Sequence, residues 1–585
     1  MQSPEVASAV ESPEVRSDSD AGSASVTASA AGAPGAWPLP HGLLEHLRLE
    51  TARATLVYWA GLFLLAGALF IPKLLPCVDY PQHLALGDMA RRLADPNAPE
   101  QATHQLNYFT YNGLFHMLVA KLARIMPIEL AGRIVVAASL LLLGAGVVAL
   151  LRVLRRPPSY AAIFTPLVFS FSAGWGFANY TLGTAVSVIG AVFVARSLLR
   201  PSIASSIGVA AVGLLCAFAH VLGMLILCVT AISLAPELAW RATAAIGESR
   251  KRHTLRAALR IVTALAPLLI GCAFCIAVYA EQYVWDPRMY RDPTVEGTAP
   301  PLWQKVGLFT AFASNLFGDR TDHVMISASL LLLATTAFLA WRRRRGNSPS
   351  LVHDGTPAPL VVPLVVLGFA YLATPMVLIG THLIFPRLAQ GVVLGAILAA
   401  PSFGGAVGAR VSRGALAIGL AAGVNLIVHM ALFARETNDA SRVIDDLPEG
   451  RAATAVMWDP ATLSFHNGTL THLAAYYGAR KHGEWAFSFA RYLSVPVRFR
   501  GGSQPAWPKK GWEFSAWDYN PRCGYARHYD LVIVKAPLDI AVDAGGERAL
   551  RHRVFGQDEY GVRLLSHHGQ YWAFDTAGLP SDGTP

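Results

Sequence analysis

Apolar residues recur in runs of about twenty between positions 55 and 433, each long enough to cross a hydrocarbon core about 30 Å thick as a helix. Short polar or basic segments separate them. The pattern predicts spans at 55–75, 131–151, 159–174, 180–198, 203–219, 222–238, 259–280, 323–341, 359–380, 385–401 and 414–433. Beyond 434 the apolar runs shorten: 452–458, 531–535, 562–566 and 571–575 read as strands and 468–480 as a helix. The expected fold is an all-α polytopic membrane domain of about eleven transmembrane helices over 49–434, followed by a soluble α/β domain over 435–585.

The opening 48 residues are rich in Ala, Ser, Gly, Pro and Glu and poor in large apolar side chains. They cannot bury enough surface to offset chain entropy and are expected to be disordered. They also lack the basic, apolar and small-residue order of a cleaved signal, so 55–75 is expected to remain as an anchor.

Composition agrees with a membrane protein: 53% of the residues are hydrophobic, 15% are charged, and mean hydropathy is +0.40. The net charge of +10 does not describe a nucleic-acid surface, because the basic residues sit in short blocks between spans. Arg152, Arg155 and Arg156 form the first block and Arg196 with Arg200 the second. Residues 250–260, 342–345 and 410–413 hold the others. Placing all five in the cytoplasm leaves the amino terminus inside and the α/β domain outside, in the periplasm of a bacterial inner membrane. A span at 109–126 would move the first block to the outer side. That segment and 81–94 are therefore read as helices lying on the outer interface.

The outer loops are unequal. Residues 76–130 form a long one, 174–180 and the turn at His220 are minimal, and 281–322 carries Tyr283-Val284-Trp285-Asp286-Pro287 before an amphipathic piece at 302–317. The polar cluster Asp79-Tyr80-Pro81-Gln82-His83 directly follows the first apolar run. After the second interfacial helix comes Glu129-Leu130-Ala131-Gly132-Arg133, and the next span ends at Arg152-Val153-Leu154-Arg155-Arg156.

This order of elements, over about 50–433, resembles the GT-C superfamily of integral-membrane glycosyltransferases, including those similar to dolichyl-phosphate-mannose mannosyltransferases. The resemblance is one of layout. It implies a polyprenyl-phosphate-linked sugar as donor, a glycan, lipid or protein of the cell envelope as acceptor, and inverting hexosyl or pentosyl transfer at the outer face of the bilayer. It leaves a divalent cation optional as cofactor, and no nucleic acid takes part.

By the same resemblance Asp79 would be the catalytic base, the carboxylate that takes the acceptor's proton as the anomeric carbon is attacked, or the group that positions the acceptor nucleophile. The family often shows Asp-Glu here, whereas this chain has Asp79-Tyr80, and Asp88 is the nearest second carboxylate. His83, one turn along, is placed to bond phosphate or Asp79, and Gln82 belongs with the substrate-binding residues. Ordinary helix capping by Asp79 and a solvated interfacial His83 are the plain alternatives.

Arg387, in Thr381-His382-Leu383-Ile384-Phe385-Pro386-Arg387, corresponds to a late basic position that related enzymes turn to the lipid phosphate, with His382 beside it. An arginine at a bilayer boundary also snorkels without catalytic meaning. Arg133 either meets substrate or pairs with Glu129 in its own turn. His220 stands near the outer end of two spans, where an ionisable group needs a partner. Asn179 closes a tight outer turn and, like Asn467, opens a glycosylation sequon.

Cys272 and Cys275 form C-x-x-C inside an apolar run, which reads as packing. Cys77 and Cys523 would pair if the soluble domain folded over the first loop. His466, His472 and His482 have no metal-ligand spacing, and Trp485, Trp507, Trp512, Trp517 and Trp572 suit sugar stacking or a domain core. Phosphate-binding loops, dinucleotide fingerprints and nucleophile elbows are lacking, which disfavours nucleotide-driven transport. A noncatalytic subunit of glycan assembly or a lipid or solute transporter is the alternative; a transporter would carry polar residues along several span interiors.

Overall fold

The computed structural model describes residues 41–243, 249–285, 297–345, 360–377, 381–505, 508, 511–537, 539–540 and 544–579. Residues 1–40 of the expected disordered tail, 286–296 of the outer loop, and Trp507 lie outside the described residues. Met1–Thr51 forms a unit of its own, and Ala52–Pro585 forms a second compact one.

Among the described residues α1 (His41–Ala68) comes first, then two short helices, α2 (Tyr80–Arg92) and α3 (Leu114–Leu122). The long apolar helix α4 (Ile128–Val153) follows. After a short α5 (Phe171–Trp175) come α6 (Ala178–Leu199), α7 (Ile203–Ala219) and α8 (Val221–Thr243). Helices α9 (Arg250–Leu265) and α10 (Leu269–Trp285) are one apolar rod interrupted at Pro267, which lacks the N–H that would continue the ladder. Short α11 (Leu302–Gly307) and α12 (Phe309–Ala313) precede α13 (Thr321–Arg345) and α14 (Val361–Ala373). Then α15 (Ile384–Arg387), α16 (Ala389–Ala399) and the 42-residue α17 (Gly405–Asp446) complete the helical body.

Among the described residues, six helices are long and apolar enough to cross a membrane, and four shorter apolar ones accompany them. The chain is thus a multi-pass membrane protein. The span expected at 159–174 takes another form, a 3-10 helix over Pro158–Leu167 followed by α5. Prolines at 157, 158 and 166 withhold three backbone donors there. The segment still crosses, because α4 ends and α6 begins at opposite ends of the bundle, and ten residues at about 2.0 Å each rise about 20 Å. It packs against α4 and α17, and most of its residues are buried, which shelters its irregular backbone.

Close helix contact in the bundle rests on small residues. A Cβ on Gly223 would meet the Gly183 carbonyl carbon at 2.9 Å, so α6 and α8 touch backbone to backbone. Ser187 Oγ spans this seam, donating to the carbonyls of Gly183 and Gly223 (2.7 and 2.6 Å, alternative acceptors).

Helix α17 is about 63 Å long, about twice the hydrocarbon thickness, so it carries the chain out to the C-terminal region. Three strands, β1 (His104–Leu106), β2 (Ala452–Met457) and β3 (Glu484–Trp485), precede β4 (Val497–Phe499), β5 (Leu531–Lys535), β6 (Arg563–His568) and β7 (Tyr571–Asp575). The five-stranded sheet has the order β3-β2-β5-β7-β6. β2 is parallel to β3 and β5, while β7 is antiparallel to β5 and β6, with Val532 opposite Phe574. Trp512, Trp572, Val532 and Val534 fill one side of it. Helix α18 (Leu473–Lys481) lies between β2 and β3 in sequence.

The first loop is stitched to this domain. β1 pairs antiparallel with β4, Leu75 N–H donates to Tyr476 Oη at 2.8 Å, and Arg480 Nε meets Glu129 at 2.5 Å. Cys77 and Cys523 nonetheless do not pair: Cys77 is buried and donates to the Ala173 carbonyl, and Cys523 Sγ accepts the Ala526 N–H. Gly176, at φ +89°, lets the turn after α5 lie on the start of α2, where a Cβ would come within 2.4 Å of Tyr80 N. Gly176→Ala is expected to lower stability by about 1–3 kcal/mol, read as an earlier thermal transition in detergent. An unchanged transition would show that this turn does not constrain α2.

Candidate active site

Asp79 stands at the N-cap of α2, where Pro81 suits the first turn. Its N–H donates to the Trp175 carbonyl at 2.8 Å, and its own carbonyl accepts the His83 N–H. The carboxylate makes no capping hydrogen bond. Instead Oδ1 lies 3.3 Å from His472 Nε2, and His472 Nδ1 lies 3.4 Å from Glu513 Oε1. The three side chains are 14%, 2% and 17% exposed, so their charges act on one another with little screening.

Gln82 sets the hydrogens of this chain. Indole and backbone N–H groups can only donate, so Oε1 accepts from Trp485 Nε1 (2.6 Å) and Phe489 N (3.3 Å). The amide nitrogen then donates to the Phe487 carbonyl at 3.1 Å and points its other hydrogen at His472 Nδ1, 3.2 Å away. Neutral His472 therefore accepts at Nδ1 and donates from Nε2 to Asp79. The imidazolium would instead turn an Nδ1 hydrogen to Glu513. Burial works against that cation, but the Asp79 hydrogen bond and the Glu513 and Asp79 charges outweigh it and raise the His472 pKa. Glu513 is shifted upward by burial; His472 opposes the shift and Asp79 adds to it.

A second chain adjoins the first. His116 Nδ1 donates to the Asn112 carbonyl at 2.9 Å, which leaves Nε2 as an acceptor 3.2 Å from His83 Nδ1. His83 thus carries its hydrogen on Nδ1 and its lone pair on Nε2. The Asn179 amide lies 3.4 Å from His83 Nδ1, and its buried Oδ1 has no partner among the described residues. Turning that amide over lets Oδ1 share, as a second and longer acceptor, the His83 N–H that points to His116. Burial and then the neighbouring His116, His220, His472 and Arg387 hold the His83 pKa well below the ordinary imidazole value. Burial brings His116 down to about 4.

Arg387 is buried with its guanidinium 3.6 Å from the Phe177 ring centroid. It donates to the carbonyls of Leu383 (3.2 Å) and His382 (2.9 Å), and its own carbonyl accepts from Tyr180 Oη at 2.6 Å. His220 is buried edge-on to Tyr180, with Nδ1 accepting the Leu222 N–H. Asp79, Gln82, His83, Asn179, His220 and Arg387 are therefore brought together.

Other sequence candidates stand apart. Asp88 lies nine residues further along α2, about 13 Å by helical rise, and bonds Arg91, Arg92 and His482. Arg133 donates to the Lys73 carbonyl, not to Glu129, which Arg480 holds instead. His382 is exposed and meets Arg387 through its backbone oxygen. Trp485, Trp512 and Trp572 are buried, and Trp517 is exposed. Sequence reasoning missed His472, Glu513 and His116, which no local spacing connects to Asp79. No group of three metal-ligating side chains occurs among the described residues.

Fold and site together define a multi-pass membrane protein with an acid–histidine cluster at the membrane face that carries its α/β domain. No protein-family model and no curated protein matches the chain. Among solved structures, the chain is similar to the crystal structure of ArnT from Cupriavidus metallidurans bound to undecaprenyl phosphate, at 12% identity, with a TM-score of 0.45, covering 91% of this chain and 98% of that one. That likeness is too distant for any residue-by-residue correspondence.

For His116 the unfolded chain binds its proton first, so its contribution is full above 6.5 and is lost as pH falls towards about 4. His472, shifted the other way, contributes fully below the unfolded value and loses it as pH rises through the folded one. Thermal stability of His116→Asn is expected to fall less than that of the wild type between pH 6.5 and about 4. Parallel profiles would mean that the acid-sensitive proton enters elsewhere.

Proposed function

We propose that the protein is a GT-C-type glycosyltransferase, moving a sugar from a polyprenyl-phosphate carrier to a cell-envelope acceptor. The reaction is placed at the face bearing the α/β domain, taken as the periplasmic side of a bacterial inner membrane. The observation that carries this reading is the Asp79 carboxylate, unused in capping and held by His472 in a cluster that also contains Arg387.

In the proposed reaction the acceptor hydroxyl attacks the anomeric carbon as its proton passes to Asp79. The bond from that carbon to the phosphate oxygen breaks on the opposite face. Its electron pair stays on the lipid phosphate, and the sugar's configuration inverts. Arg387 balances the charge gained by the phosphate, while Phe177 beneath fixes the plane of the guanidinium. Neutral His83 offers the Nε2 lone pair to a donor hydroxyl. His472 donates from Nε2 to Asp79 and so orients the carboxylate for attack, so the α/β domain supplies part of the site.

The acids and histidines clustered with Asp79 lie at one membrane face, as interfacial chemistry requires. Asp79→Asn is expected to lower transfer by about 10²–10⁴-fold, so that cells accumulate one polyprenyl-phosphate sugar and lose the matching glycan unit, both read by mass spectrometry. A deletion strain with an altered envelope beside a wild-type Asp79→Asn strain would sink the catalytic reading and favour a noncatalytic or transport role. His472→Gln, which keeps a donor towards Asp79 but cannot become a cation, is expected to retain substrate affinity and shift the pH profile of turnover. An unshifted profile would show that the charge of His472 does not act on turnover.

A further inference from the structure

A cavity of about 750 Å³ lies at the other end of the bundle from Asp79. Helix α4 starts beside the α/β domain and α6 carries Asn179 in its first turn; both end at this cavity, about 39 Å and about 33 Å away by helical rise. Its lining includes Arg152, Arg155, Arg156, Arg196, Arg200 and Arg241. No carboxylate lines it among the described residues, and Glu237, one turn before Arg241, pairs with that residue.

The charge rule for membrane topology explains each arginine singly but not their convergence. Arg250, Lys251, Arg252 and Arg256 satisfy the same rule on the partly exposed start of α9 without lining the cavity. Nor is the cluster needed to cap the helices, because Arg260 already donates to the carbonyls of Leu199 and Ala242 at the ends of α6 and α8. The chain bends to gather the group: Arg155 is left-handed, at φ 54°, and the Arg156 N–H closes on the Leu151 carbonyl at 2.7 Å. Arg156 is anchored through the Ala400 carbonyl at 2.8 Å, while Arg152, Arg155, Arg196 and Arg200 are exposed.

Guanidiniums crowded around one concavity repel each other unless an anion enters. Ser202 and Ser205 in the wall are occupied in capping α7, and the remainder is apolar, with Leu154, Phe193, Leu199 and Leu238, which a free phosphate would not use and an acyl chain would. We propose that this cavity binds the phosphate of an anionic phospholipid, with an acyl chain lying along Phe193 and Leu199.

Native mass spectrometry of the full-length protein, titrated separately with phosphatidylglycerol, phosphatidylcholine and inorganic phosphate, tests this. Phosphatidylglycerol is expected to be retained in preference to phosphatidylcholine and not displaced by inorganic phosphate. Its affinity should fall about fivefold for each arginine removed, in Arg196→Gln alone and in Arg155→Gln with Arg200→Gln. Arg250→Gln with Arg252→Gln should bind as the wild type does. Equal loss in that control pair, unchanged retention in the cavity variants, or displacement by inorganic phosphate would each overturn the proposal. Thermal transitions in phosphatidylcholine alone separate lost binding from lost folding, and Arg196→Gln, at an exposed position, gives an independent reading.

Discussion

The hydrogen bonds of Gln82 hold this structure's two halves in one register. The side chain is wholly buried, and both ends of its amide are committed to the C-terminal domain: the oxygen to Trp485 and Phe489, the nitrogen to Phe487 and His472. A buried amide left unpaired costs about 1–3 kcal/mol per lost partner, so α2 and the domain position one another. The same contacts fix which nitrogen of His472 faces Asp79. Fold and site electrostatics therefore share one set of bonds.

The legibility of the fold follows from the length of its signals. Ten of the eleven expected spans coincide with apolar helices because twenty apolar residues override local detail. The exception, 159–174, was apolar enough, but its prolines changed the helix type without changing the crossing. Strands such as β2, β5 and β7 were visible as short β-branched or aromatic runs, while β1, β3 and β4 have two or three residues and owe their existence to tertiary pairing.

The site was half visible. Asp79, His83 and Asn179 lie where loop position alone marks them, since polar groups at a bilayer edge stand out against apolar neighbours. His472 and Glu513 sit in a polar domain where histidine and glutamate are ordinary, and they reach Asp79 only through the docking of that domain. Asp88 misled for the opposite reason: proximity in sequence is not proximity in space on a helix, and its charge is absorbed by two arginines and His482. The two membrane faces also differ in logic, with paired acids and histidines at one end of α4 and α6 and like-charged arginines at the other.

The separation of Gln82 from His472 by 390 residues has a consequence in time. At about 5–20 residues per second, about 20–80 s of synthesis separates the two. During that interval the first long loop stands with its glutamine unbonded and its aspartate without His472. The nascent bundle meets the bilayer and its lipids long before the cluster is complete, so the bonds that tie its two halves together are the last to form.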